Sequence, residues 1–141
     1  MKEAERWICP VEANGSMQIR WGFQVAEVRR PLISVKKIME KGNHVCFGPK
    51  DEDNYIINKS SGDKMMLNQV GKGSYVMEVS FTGGETTQII VDSGAEDSVC
   101  PWAWGEQFGI REPERWLNLR NASGDEIPHH GSRDVFLQST F

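Results

Sequence analysis

The sequence predicts a mostly-β fold, a small barrel or sandwich carrying one short helix. Three observations predict it. Apolar and polar residues alternate over short runs, as in half-buried strands. Turn-forming clusters of Gly, Asn, Asp and Ser recur about every 8 to 12 positions. A single stretch has helical rather than alternating spacing. At 141 residues the chain is sized for one domain with a real core, so 1–141 reads as a single domain. No low-complexity segment or linker divides it.

The elements follow in order. The first sixteen residues are polar and mixed, and close on the turn signal Ala13-Asn14-Gly15-Ser16. Met17 to Trp21 alternates, and Phe23 to Val28 resumes the alternation with Phe23, Val25 and Val28 inward. Gly22 between them predicts a bulge or bend. Pro31 interrupts. Leu32-Ile33-Ser34 is followed by Val35, Ile38 and Met39 at helical spacing, with Gly42 as the stop. His44 to Phe47 is a strand, 48–54 a polar turn and Tyr55 to Ile57 a strand. Ser60 to Asp63 turns into Lys64 to Leu67. After the turn at 70–73, Ser74 to Val79 is a clear strand. Thr82 to Glu85 turns again into the strand 87–91. Residues 97–108 are irregular, and Trp102 and Trp104 share a face if the backbone there is extended. Trp116 to Arg120 is a strand, 121–125 a turn, and Gly131 to Leu137 the last strand.

Composition narrows the function classes. Hydrophobic content of 38% and charged content of 26% fit an ordinary globular protein. A net charge of -4 argues against nucleic acid as partner, because phosphate binding needs a basic footprint. No run approaches the ~18 apolar residues of a membrane span, and the N-terminus has no apolar signal core. Cys9, Cys46 and Cys100 are far apart and odd in number, which predicts free, reduced thiols and an intracellular setting. His44, His129 and His130 lack partners at ligand spacing, so no metal and no cofactor is expected.

The chemistry concentrates at Ile89-Ile90-Val91-Asp92-Ser93-Gly94-Ala95. A β-branched apolar run delivers Asp92 into a tight turn. Gly94 allows close backbone approach and unusual dihedrals. Ser93 offers a hydroxyl to a facing loop. Peptide hydrolysis by carboxylates needs two of them about 3 Å apart, sharing one proton. One activates water and the other polarises the carbonyl, and the pair titrates as a unit. Asp97 and Asp125 lack the preceding apolar strand and the Gly two residues on. The chain therefore supplies one such Asp, and a second must come from another copy.

Residues 89–95 resemble the catalytic strand and loop of the retropepsins, the retroviral and retrotransposon aspartic proteases. Asn121 to Gly131, turning at Ala122-Ser123-Gly124, resembles their flap. Residues 17–79 resemble the late half of a copia-type retropepsin, and 87–137 the early half with catalytic loop and flap. Leu32-Ile33-Ser34 resembles the apolar-apolar-Gly element that passes behind the catalytic loop and leads into the helix, with Ser for Gly. The order of the halves is reversed, so the resemblance implies a circular permutation, with termini between the flap and the strand at 17–28. It implies a retropepsin-type barrel and an aspartic endopeptidase acting on a peptide or polyprotein as a homodimer. Asp92, Ser93 and Gly94 would be catalytic, and Ala95, Ala122, Ser123, Gly124, Ile127, Leu32 and Ile33 would line flap and floor, with Pro128 and His129 at the flap base. It also implies that the hairpin from Val76 to Val91 could replace the interface sheet of such dimers, and that the halves could instead pair between chains. The alternative is a domesticated, non-catalytic domain of the same fold serving as a structural or binding subunit.

Overall fold

The alternating run Ser16–Ala26 forms one unbroken strand of 11 residues, β2. The structure is a computed structural model describing residues 8–11, 16–71, 73–82, 84–121 and 123–139. Ala122 of the expected flap tip, Gly83, Lys72, the turn residues 13–15 and the Cys9 side chain lie outside the described residues. Before β2 lies β1 (Ile8–Val11), its antiparallel neighbour. Gly22 does not bend β2, contrary to the sequence expectation. The ladder to the last strand, β13 (His129–Ser139), runs in register through Phe23–Arg133, Gly22–Asp134 and Trp21–Val135. Space explains the glycine better: a Cβ there would lie 3.3 Å from Asp134 Oδ1. The irregularity falls on the partner strand instead, between His129 and Gly131.

Strand β3 (Leu32–Ser34) runs directly into helix α1 (Val35–Glu40). Ser34 caps the helix by accepting the Lys37 N–H at 3.2 Å, satisfying a donor the helix cannot. Gly42, at φ 88°, ends it. Val35 and Ile38 are buried, but Met39, expected beside them, is 49% exposed. So short a helix buries one row of side chains, and the residue after Ile38 is rotated about 100° away. Next come β4 (Asn43–Cys46), β5 (Tyr55–Asn58) and β6 (Lys64–Met66), a three-stranded antiparallel sheet.

The remaining strands are β7 (Asn68–Val70), β8 (Ser74–Phe81), β9 (Thr86–Asp92) and β10 (Val99–Cys100), with the short pair β11 (Leu119–Arg120) and β12 (Glu126–Ile127) before β13. The strand expected over 116–120 thus shrinks to its last two residues. β13 pairs with β2 along one edge and with β8 along the other, so the pairings β2–β10–β3–β9–β8–β13 return to β2. Within the one chain the halves 17–79 and 87–137 join through β2–β13, β3–β9 and β8–β9. The β8–β9 hairpin forms as expected. However, β7 and β13 take the second edge of β8, and β3 takes residues 90–92 of β9, so the hairpin is a wall of the ring.

Alternation then decides the core. Ile19, Trp21, Phe23 and Val25 from β2 meet Val79, Ile89, Val135 and Leu137, all buried. Each such side chain contributes about 1.5–3 kcal/mol on burial. Trp104 packs on Phe23 at 5.0 Å and on Phe81 at 5.1 Å between ring centroids. Trp102 does not share its face, because the backbone turns here: Trp104 N–H bonds the Pro101 carbonyl. Trp102 is instead 52% exposed, edge-on to His130.

Candidate active site

Buried Ile89 and Val91 alternate with half-buried Ile90 and bring β9 to its last residue, Asp92, at the margin of the core. The Asp92 carboxylate is half-buried, and Ser93 and Gly94 are exposed. Asp92 Oδ1 accepts the Gly94 N–H at 2.8 Å, an Asx-type turn that fixes the carboxylate against its own backbone. Gly94 does not take a left-handed φ. Proximity is what it supplies, since a Cβ there would lie 3.4 Å from Asp92 Oδ1.

The loop after Asp92 straddles β3. It leaves β9, passes residues 93–98 and returns as β10, and β3 lies between those two strands. The β3–β9 ladder is parallel, with Leu32 beside Ile90, Ile33 beside Val91 and Ser34 beside Asp92. β10 pairs antiparallel with β3 and parallel with β2. Of the expected floor residues, Leu32 is half-buried and Ile33 is wholly buried in the core, supporting the loop from behind. Ala95 is half-buried, and its carbonyl accepts Ser34 Oγ–H at 2.7 Å.

Two serines hold this arrangement. Ser34 Oγ donates to Ala95 and accepts from Lys37, so one hydroxyl joins loop and helix. Ser98 Oγ accepts both the Ser34 N–H and the Trp21 indole N–H, each at 3.0 Å. Both residues are buried, where an unmet donor is costly. Outside, Lys36 meets Glu96 at 3.1 Å and Lys37 meets Asp97 at 3.8 Å. The hydrogen bond to Glu96 raises the Lys36 pKa. These exposed pairs orient more than they stabilise. Sequence reasoning missed Ser98 altogether. Ser34 had a legible signal as an N-cap before a helical run.

The expected flap is a two-stranded hairpin. Leu119 pairs with Ile127 and Arg120 with Glu126. Asn121 Oδ1 accepts the N–H groups of Ser123 and Asp125, and Gly124 takes φ 85°. Ser123 and Gly124 are exposed and Ile127 is half-buried. At the base, Leu117 N–H donates to His129 Nδ1 at 3.0 Å. Among the described residues no hydrogen bond joins 119–127 to the loop 92–95.

A cavity of about 700 Å³ adjoins the far end of this loop, lined by Arg20, Trp21, Lys37, Asp97, Ser98 and Arg111 among others, and Asp92 is not among its lining residues. Cys100, wholly buried beside Arg133, has its thiol pushed up to about 12 by desolvation, which leaves it protonated and unreactive. Among the described residues no three His, Cys, Asp or Glu side chains are placed to hold a metal. No helix among them is long and apolar enough to cross a membrane. Compared with known proteins, the chain matches no family model, no curated protein and no solved structure.

Proposed function

We propose that this chain is a retropepsin-like aspartic endopeptidase, circularly permuted, whose ring of strands is a closed barrel and whose active site is completed by a second copy. The observation that carries the reading is the threading of β3 between β9 and β10, with Ser34 beside Asp92. That is the relation the resemblance implies for an apolar-apolar-Gly element behind a catalytic loop. Further support comes from the exposure of Ser93 beside a half-buried Asp92, which leaves the carboxylate open to a partner's. In a homodimer with Asp92 near the two-fold axis, the two carboxylates share one proton. The ionised one takes a proton from water as it attacks the scissile carbonyl carbon, and the protonated one donates to the carbonyl oxygen. The hairpin 119–127 covers a peptide lying extended beneath it.

A second reading is a non-catalytic domain of the same fold that binds a partner. Trp102 and Trp116, 52% and 59% exposed, favour it. One experiment separates the two. Purified chain and Asp92→Asn are incubated with a peptide library from acidic to neutral pH, and oligomeric state is measured by sedimentation. Cleavage by a dimeric wild type that is lost in Asp92→Asn is the expected result. Identical behaviour of the two proteins, or a strictly monomeric chain, overturns the endopeptidase reading.

A further inference from the structure

His129 sits where the hairpin 119–127 returns to the body of the protein. Its ring is bonded on both nitrogens. Nδ1 receives the Leu117 N–H at 3.0 Å, and Nε2 lies 2.7 Å from Gln24 Oε1 and 3.0 Å from the Gly131 carbonyl. A backbone N–H can only donate, so Nδ1 carries no proton, and the ring hydrogen is on Nε2, donated toward Gln24 and Gly131. Gln24 is held in turn by Ser132 Oγ–H at 2.9 Å. Leu117 enters the hairpin and His129 leaves it. One neutral imidazole therefore ties the incoming stem, the outgoing stem and β2 at a single point. The Trp116 ring meets it edge-on at 5.1 Å.

We infer that His129 is a proton-sensitive latch at the base of the hairpin. While neutral, it anchors the 117 stem and positions the hairpin. Protonation of Nδ1 turns the acceptor into a donor facing another donor, and the incoming stem is released. The second proton can go only to Nδ1, so the latch opens on acidification.

Other charges lie on the elements packed around it. Arg111, Glu112, Glu114 and Arg115 are on the incoming stem, Glu126 on β12, His130, Arg133 and Asp134 on β13, and Arg20 and Glu27 on or just after β2. Arg111 and Arg20 engage Asp134, Glu126 engages Arg120, and Arg133 is spent on carbonyls. His130 reaches Glu27 at 3.3 Å and is the competing titratable group. Among the described residues, every hydrogen bond to the His129 ring is made by a neutral group.

The inference rests on reading 119–127 as a flap only for its consequence in catalysis, and its test needs no cleavage. Backbone ¹⁵N relaxation and amide exchange are measured over 117–129 in wild type, His129→Asn and His129→Ala, at about pH 7.5 and about pH 5. Exchange is corrected for its intrinsic pH dependence. Wild type is expected to lose roughly tenfold of its Leu117 protection on acidification, with the hairpin gaining fast motion. His129→Asn offers an oxygen near the place of Nδ1 that does not titrate, and is expected to stay ordered at both pH values. His129→Ala is expected to be mobile at both. If that variant does not fold, the other two proteins still decide. An unchanged hairpin in wild type, or a pH effect that persists in His129→Asn and so belongs to His130 and Glu27, overturns the latch. A latch that behaves as expected in a protein that cleaves nothing leaves the latch standing and removes the protease reading.

Discussion

Ser34 and Asp92 are paired residues of the parallel ladder between β3 and β9, although 58 positions separate them in the chain (92 minus 34). Through its hydroxyl, Ser34 also holds the Ala95 carbonyl and the first turn of α1. The backbone of Asp92 is thus fixed beside a strand whose serine also holds the loop and the helix, the rigidity that the proposed role would need.

Asp92→Asn is expected to remove all peptide cleavage and to leave stability within about 0.5 kcal/mol of wild type. The amide oxygen can still accept the Gly94 N–H, and the site is open to water. Cleavage assays beside urea melts check it. A large loss of stability would show that Asp92 is structural.

Ser98→Ala removes the shared acceptor of the Trp21 indole and the Ser34 N–H. The buried Ser34 N–H left unmet costs about 1–3 kcal/mol. Urea denaturation measures this, and a loss under about 0.5 kcal/mol would mean that water replaces the hydroxyl.

Arg133 is 3% exposed and donates to the carbonyls of Gly109, Trp102 and Trp104 at 2.6, 2.9 and 2.6 Å. Arg133→Met leaves three carbonyls unpaired and is expected to cost about 3 kcal/mol or more, loosening 101–109 first. Arg133→Lys should rescue little, because one ammonium cannot span the guanidinium's separate donors. Limited proteolysis within 101–109 reports the loosening; equal resistance of wild type and Arg133→Met would refute it.

Gly131→Ala places a Cβ 2.9 Å from the Arg111 carbonyl oxygen at a residue whose φ is 148°. Neither backbone atom can move without breaking the Arg111–Ser132 bridge. A loss of about 2–4 kcal/mol is expected in thermal melts; a variant as stable as wild type would show that the bulge is soft.

The Cys100 thiol is raised from 9.0 to about 12 by burial, so the fold favours its protonated form. Its contribution to stability is therefore complete below about pH 9 and is lost as pH rises toward 12. At about pH 10 wild type should have lost roughly 1.4 kcal/mol relative to Cys100→Ala, one pH unit past the unfolded value. Alkylation at pH 8 should also spare Cys100 in the folded chain while modifying half-buried Cys46. Equal pH profiles for the two proteins would show that the thiolate is tolerated.

Much of this chain could be read from neighbours in sequence. Alternation located β2, β8, β9 and β13, Gly42 ended the helix, and the Asp92 turn and the hairpin at 121–125 stood out by composition. The misreadings share one cause. Gly22 was read as a bend because a glycine in a strand is locally ambiguous, and only the Asp134 carboxylate opposite explains it. Trp102 and Trp104 share a face only on an extended backbone, which the turn over 101–104 denies. Met39 was drawn inward by a spacing that a longer helix would have obeyed.

By itself, then, the sequence determined the strand periodicity, the single capped helix and one carboxylate in a tight turn, because these depend on residues a few positions apart. The tertiary structure alone decided that Ser98 serves Ser34 and Trp21 from 64 and 77 positions away, and that His129 clasps the hairpin to Gln24 from 105 positions away. Such partners are chosen by which strands share a ladder, and ladder order is set by how the whole ring packs its core.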